Sequence, residues 1–309
     1  MSMETSQNTN PLGHSCRSLS TSEKLSEELT PRILEKQELV KGIFEFVVFA
    51  PNVAVKAHAG QFIVVIPDSV GERIPLTIAD WDCERGTVTL IFMVVGASTQ
   101  KMAKMMPGDE LKALTGPLGH ASEIEDFGTV VVVAGGVGTA PVFPIARALR
   151  EKGNRVIAIQ GARSKDLLFW QDKLATVCDE HVITTDDGSF ARKGLVTEPL
   201  KEILERDKTV QRVIAIGPPI MMKFCAKTSQ PYGVKTTVSL NPIMMDATGM
   251  CGVCRVNVGG KTLFGCVDGP EFDGHLVDWD QFMARQRTYL GQEKESMEWY
   301  AKGANAWKE

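Results

Sequence analysis

The sequence predicts a multidomain β plus α/β protein: an antiparallel β-barrel, then a five-stranded parallel nucleotide-binding domain, then a small C-terminal subdomain built around cysteines. Three observations carry this. Short runs rich in Val, Ile and Phe, separated by turn residues, recur from about residue 30 to 115, as in an antiparallel barrel or sandwich. From residue 129 apolar runs alternate with helical stretches, the mark of a parallel sheet with right-handed crossovers. After residue 240 the alternation stops and Cys251, Cys254 and Cys266 crowd into a glycine-containing segment.

Residues 1–29 are polar and acidic with few apolar groups, so they cannot bury enough to offset ordering and read as a flexible tail. They lack the apolar core of a secretory signal, and Glu4, Glu23, Glu27 and Glu28 argue against a transit peptide. In the region 30–125 the clearest strands are 43–50, 61–67 and 87–95. In the region 126–240 the expected order is strand 129–133, helix 142–151, strand 156–160, helix 166–176 and strand 181–185. Helix 197–205, strand 213–216, helix 220–228 and strand 236–240 follow. The first of these strands is almost wholly apolar, as a strand covered on both faces should be. Residues 241–275 form the cysteine subdomain, and 276–309 a helical tail with Phe282, Tyr289, Leu290 and Met297 near one face, packed on its own domain.

The 309 residues carry 43% hydrophobic and 23% charged side chains with net charge −4. That balance suits a soluble globular protein, and it lacks the basic stripe that a nucleic-acid partner calls for. The longest apolar runs are far too short to cross a bilayer. The absence of a signal, with thiols clustered at one place, points to a reducing cytoplasm and a metal site.

The strongest local signal is Asp246-x4-Cys251-x2-Cys254-x11-Cys266. Two thiolates three positions apart reach one metal centre from a single turn, while Gly249 and Gly252 let the backbone wrap close. The third returns after a hairpin over 255–265, whose Gly259-Gly260 turn sets Val256 opposite Leu263. The spacing fits the loop of a plant-type two-iron (2Fe-2S) cluster, with Asp in the position of the first Cys. A zinc site of three Cys and one Asp, or cysteines without metal, are the competing readings.

Gly135, Gly136, Gly138, Thr139 and Pro141 lie in V-A-G-G-V-G-T-A-P, between a buried strand and a helix. Such glycines let a pyrophosphate approach the backbone, and the helix N-terminus supplies donors. Asp186 and Asp187 follow the third strand of the sheet, where a carboxylate accepts from ribose hydroxyls and repels a 2′-phosphate. This favours NAD(H) over its phosphorylated form. A turn capped by its own carboxylates is the alternative. Gly217 and Pro218 end the fourth strand.

In the β region, Arg73-Ile74-Pro75-Leu76-Thr77 opens a strand, and Gly96, Ala97, Ser98 and Thr99 precede a helix. Taken in this order before the glycine turn, these motifs resemble the ferredoxin–NADP reductase superfamily. There R-x-x-[ST] and a later Gly-x-[Ser/Thr] turn bind FAD on a barrel, and G-G-x-G-x-x-P binds the nicotinamide nucleotide. The gap from Arg73 to Thr77 is one residue longer than that pattern, and Ile216 stands where many members place Cys. With the cysteine loop added, the chain resembles the electron-transfer subunits of dihydroorotate dehydrogenase. It is still more similar to the small subunits of NADH-dependent reduced ferredoxin:NADP oxidoreductase (sulfide dehydrogenase), through RIPLTIAD, TTDDGSFARK, GPPIMMK, DGHLVDWD and the Asp246–Cys266 loop. The dihydroorotate subunits have Cys at the position of Asp246.

The resemblance implies FAD, a 2Fe-2S cluster and NAD(H) as cofactors, with no acid–base catalytic residue. Arg73, Pro75, Leu76, Thr77, Gly96, Ser98 and Thr99 would serve the FAD; Gly135, Gly136, Gly138, Thr139, Asp186, Asp187, Gly217 and Pro218 the NAD(H); and Asp246, Cys251, Cys254 and Cys266 the cluster. It also implies a larger partner that resembles the glutamate synthase small chain and holds FAD and iron–sulfur clusters. The two would work as an electron-bifurcating heterodimer. The rivals are a dihydroorotate dehydrogenase subunit, a self-contained NADH reductase, and a zinc-stabilised nucleotide-binding protein without catalysis.

Overall fold

The computed structural model describes residues 30–302. The expected N-terminal tail lies outside the described residues. The first sheet has six antiparallel strands: β1 (Arg32–Val40), β2 (Ile43–Phe49), β3 (Phe62–Ile66), β4 (Ile74–Asp82), β5 (Thr87–Met93) and β6 (Ala113–Leu118). Their order is β1-β2-β5-β4-β3-β6. The sheet curls until β1 meets the segment just before β6, through Ile33 N–H to Asp109 O at 2.9 Å and Leu111 N–H to Pro31 O at 2.8 Å. This closes it as a barrel around Ile33, Phe46, Ile63, Ile78, Leu90 and Phe92. The short helix α1 (Pro51–Ala54) covers one end, and α2 (Ala97–Lys104) follows β5.

The second sheet begins with β7 (Thr129–Gly135), all seven residues buried. Then come α3 (Thr139–Glu151), β8 (Arg155–Ala162), α4 (Gln171–Ala175), β9 (Glu180–Thr185), a two-residue β10 (Arg192–Lys193), α5 (Thr197–Arg206), β11 (Val210–Ile216), α6 (Pro219–Ser229) and β12 (Lys235–Ser239). Five parallel strands run in the order β9-β8-β7-β11-β12, with β10 beside β9. The chain therefore reverses direction across the sheet between β7 and β11, which is where doubly wound sheets open a crevice for a ligand.

The hairpin β13 (Arg255–Val258) and β14 (Lys261–Phe264) pairs Val256 with Leu263 as expected. A third strand of the C-terminal segment, β15 (Glu271–Asp273), joins the parallel sheet antiparallel to β12. The expected five strands are thus extended by a short strand at each edge.

Two expected helices differ. The stretch 166–176 is not one helix: a 3-10 turn at Lys165–Leu167 is followed by Trp170 in the left-handed region at φ 57°, and only then by α4. Tertiary contacts override local propensity here. Phe169 is buried against Ala79 and Ala140, and Trp170 Nε1 donates to Glu45 across to the barrel at 3.0 Å. The tail is likewise broken into α7 (Trp279–Arg285) and α8 (Leu290–Ala301). Phe282 packs edge-on to Trp279 in the core, whereas Tyr289 and Leu290 are exposed. The α8 helix leaves its own segment and lies against α2 of the barrel, with Lys104 Nζ 4.7 Å from the Tyr300 ring centroid. No helix among the described residues is long and apolar enough to cross a membrane.

Candidate functional site

On the barrel, Arg73 is exposed at the start of β4, and Pro75, Leu76 and Thr77 are half-buried along it. Gly96 caps α2 in an extended conformation, and a Cβ there would meet nothing within 4 Å. Ser98 Oγ donates to Glu72 at 3.0 Å, so the turn that carries Arg73 and the N-terminus of α2 are drawn together. Thr99 turns inward. Its Oγ1 accepts from the N–H groups of Val95 and Gly96, each at 3.0 Å, and donates to Gly96 O. Its hydroxyl shapes the cap and is not presented to a ligand. Exposed donors at an open helix N-terminus fit an anion such as a pyrophosphate.

The glycine turn divides its labour. Gly136 has φ +55° and open space around it, so the turn is exposed to a ligand at that point. Gly138 is packed instead: a Cβ there would stand 2.1 Å from Ile216 O. Gly135 and Gly217 touch each other across the ends of β7 and β11, where a Cβ on Gly217 would come within 2.9 Å of Gly135 O. Pro218 caps α6. Thr139 is buried, its Oγ1 accepting from Gln160 Nε2 at 3.3 Å. Gln160 in turn faces His181 and the Phe169 carbonyl, so a polar chain supports the turn from beneath.

Asp186 and Asp187 are exposed at the end of β9. Asp187 Oδ1 accepts from Ser189 N at 2.9 Å and Ser189 Oγ at 2.6 Å, which holds its carboxyl below the usual range. Ser189 Oγ also accepts from Lys165 N–H at 2.8 Å, tying this loop to the one after β8. The side chain of Asp186 has no hydrogen-bonding partner among the described residues.

The cysteine loop brings its four residues together in two pairs. Cys251 Sγ lies 3.2 Å from Asp246 Oδ1, and Cys254 Sγ 3.2 Å from Cys266 Sγ. Ala247, Gly249 and Gly252 all adopt positive φ, which is how the backbone winds tightly enough to do this. The first pair is towards the surface and the second is buried. Thr248 N–H and then Cys251 hold Asp246 ionised below its ordinary range, whereas burial and the neighbouring Cys254 push Cys266 up to about 12. Such thiols stay protonated until a metal displaces the protons. Among the described residues no three His, Cys, Asp or Glu side chains gather around a single point. Two pairs of donors fit a two-centre cluster better than one tetrahedral ion.

The motifs do not reveal the residues that join these parts. Phe62 on β3 pairs with Thr77 in the barrel and packs against Cys254, Cys266 and Ala247 in the loop. Ala79 sits at a bulge in β4, between the pairs Ile78–Leu90 and Asp80–Thr89, and packs on Val137 and Ala140 of the glycine turn. Bulges re-aim side chains beside active sites in this way. The next residue, Asp80, accepts from Arg147 of α3 at 2.7 Å and Lys173 of α4 at 2.9 Å. Burial works against its charge, but the two cations outweigh burial and lower its pKa. The paired strands β3 and β4 are therefore flanked by the cysteine loop, at Phe62 of β3, and by the glycine turn, at Ala79 of β4.

A family profile described as the iron–sulfur cluster binding domain of dihydroorotate dehydrogenase B matches residues 241–278, and one described as the oxidoreductase NAD-binding domain matches 132–227. A Thermotoga maritima protein described as a dihydroorotate dehydrogenase B (NAD(+)) electron transfer subunit homolog is 44% identical over 88% of this chain and 96% of its own length. The chain belongs to the dihydroorotate dehydrogenase B electron transfer subunit family. A Clostridium perfringens member, the dihydroorotate dehydrogenase B electron transfer subunit, is 32% identical over 80% of this chain and 97% of its own. Among solved structures, a chain from work on flavin-based electron bifurcation in the NADH-dependent reduced ferredoxin-NADP oxidoreductase superposes with TM-score 0.84. It is 43% identical, over 88% of this chain and 98% of that one. This family member is thus an electron-transfer oxidoreductase subunit that combines a ferredoxin-reductase-like fold, an NAD-binding domain and an iron–sulfur cluster-binding domain.

Proposed function

We propose that the chain exchanges hydride with NAD(H) and single electrons with a larger flavin- and iron–sulfur-containing partner, in an electron-bifurcating complex of the NADH-dependent reduced ferredoxin–NADP oxidoreductase type. The observation that carries this is the position of β4, with the glycine turn packed on its Ala79 and the cysteine loop packed on Phe62 of the neighbouring β3, the partner of Thr77. An FAD bound along that strand supplies the interconversion of two-electron and one-electron chemistry. Arg73 and the N-terminus of α2 would hold its pyrophosphate, Ser98 exchanging Glu72 for a phosphate oxygen, and Pro75, Leu76 and Thr77 would line its ring. Gly136 would admit the NAD pyrophosphate, while Gly135, Gly138, Gly217 and Pro218 hold the two strand ends at the close approach it needs. Thr99 and Thr139 brace these turns from within. Asp186, free of other bonds, would accept from the ribose, with Asp187 fixing the loop. Asp246, Cys251, Cys254 and Cys266 would ligate a 2Fe-2S cluster.

Asp at position 246 supports this complex, as does the 43% identity across almost the whole of the ferredoxin-NADP oxidoreductase chain; the T. maritima dihydroorotate dehydrogenase B subunit homolog is equally similar, at 44%. The second reading is kept by the C. perfringens relative. Anaerobic co-purification with a partner subunit separates them. NADH-linked, ferredoxin-dependent turnover of NADP(H) by the complex supports the proposal, and dihydroorotate oxidation with NAD overturns it in favour of the second reading. A zinc-containing protein without flavin would refute both.

A further inference from the structure

We propose that Arg285 is a positioning residue for the cysteine loop, which fixes the backbone between Cys251 and Cys254 and keeps a permanent positive charge beneath it that raises the reduction potential of the cluster. The inference rests on the reading of Asp246, Cys251, Cys254 and Cys266 as its ligands. Arg285 Nη2 donates to Val253 O at 3.0 Å. The adjacent Gln286 Nε2 donates to Asn241 O at 3.1 Å and to Asn241 Oδ1 at 3.2 Å. The end of α7 therefore grips the segment where it begins and again between two ligands. Arg255 Nη1 adds a bond to Gly252 O at 3.1 Å. In a trans peptide C=O and N–H point in opposite directions. Holding the Gly252 and Val253 carbonyls thus fixes the N–H groups of Val253 and Cys254 in the opposite sense.

The element that delivers Arg285 is itself anchored. Asp278 caps α7 by accepting from Gln281 N at 3.0 Å, and its own N–H donates to Asn257 O of β13 at 2.9 Å. Phe282 is buried one turn before Arg285. Arg285 lines a cavity of about 130 Å³ with Pro242, Ile243, Val253 and Phe282. Among the described residues no carboxylate pairs with it, so its charge is uncompensated. A guanidinium does not lose its proton. Reduction adds one electron and no proton, so a fixed positive charge nearby favours the reduced state, more strongly where solvent is partly excluded. Arg255, which is exposed, is screened and acts mainly through its hydrogen bond.

The test uses the full chain with its cluster, as wild type, Arg285→Gln and Arg285→Lys. Iron and acid-labile sulfide are measured per chain, and the midpoint potential by a titration followed by electron paramagnetic resonance. We expect all three to hold the cluster. The Gln variant should shift to lower potential, changing the reduced-to-oxidised ratio at a fixed potential at least threefold, about 28 mV at 59 mV per tenfold for one electron. The Lys variant should recover most of that shift. A Gln variant with the wild-type midpoint overturns the proposal, as does one that holds no cluster, since Arg285 would then be merely structural. A Lys variant that matches Gln overturns the role of charge. Wild-type protein without iron overturns the ligand reading itself, not the part assigned to Arg285.

Discussion

Gly136 and Gly138 lie two residues apart in one motif and are required for different reasons, and substitution separates them. Gly138→Ala drives a methyl into the Ile216 carbonyl, where backbone cannot give way. Overpacking of this kind costs about 1–3 kcal/mol, so a fall in Tm is expected together with loss of NAD(H) binding. Gly136→Ala has room for its methyl but must hold φ +55°, at a cost of about 1–2 kcal/mol. It should keep most of the stability and lose affinity selectively, because the added group would stand in the open space proposed above for the pyrophosphate. Thermal melts paired with NADH titration check both. Cys254→Ser removes one proposed ligand, a member of the buried pair, and iron per chain should fall close to zero while flavin is retained. Full iron content in that variant would remove Cys254 from the ligand set. The spacing of Asp246, Cys251, Cys254 and Cys266 was legible because loop chemistry is local. That Thr99 and Thr139 face inward was not, since only the fold shows which side of a turn is covered.

At the scale of elements, the polar part of the contact between barrel and α/β domain includes Asp80 of β4 with Arg147 of α3 and Lys173 of α4, and Glu45 of β2 with Trp170. Asp80→Asn keeps the shape and removes the charge. A hydrogen bond to a charged group contributes about 1.5–3 kcal/mol, and a loss of that order in unfolding free energy is expected. The pH dependence has a definite sign. The folded pKa of Asp80 lies below its ordinary value, so its contribution is present above the unfolded pKa and is lost as pH falls through the folded one. Glu45 has the opposite bias, because burial raises its pKa. Denaturation at a series of pH values should therefore show a shallower acid-side loss of stability in Asp80→Asn than in wild type. An unchanged acid limb would assign that loss to other carboxylates. The strands and most helices of these elements were visible from periodicity. The break at Trp170 and the bulge at Ala79 were not, because each answers a contact with residues far away in sequence.

For the whole molecule, the arrangement around β4 makes two half-functions separable. The glycine turn meets β4 at Ala79 and the cysteine loop meets β3 at Phe62, the partner of Thr77. If the cluster is removed with a chelator, NADH should still reduce the bound flavin, whereas reduction of the partner should stop. Stopped-flow absorbance on treated and untreated protein reads both steps. Loss of both together would mean that the cluster loop is needed to hold the flavin site itself, through the Phe62 contact whose burial contributes roughly 1.5–3 kcal/mol. The placement of α8 on the barrel, and of β15 as an edge strand of the parallel sheet, shows that the C-terminal segment ties the molecule together.

The sequence by itself determined the fold class, the β-then-α/β order, the glycine turn at a strand end and the cysteine loop. Each of these depends on periodicity, turn chemistry or spacing within about twenty residues. Only the tertiary structure decided that the two motifs pack on the adjacent strands β4 and β3, that the four donors fall into two pairs, and that Asp80, Phe62 and Arg285 lie against them. Those facts arise from packing between segments distant in the chain, where burial and paired charge set the geometry and local propensity carries no information about it.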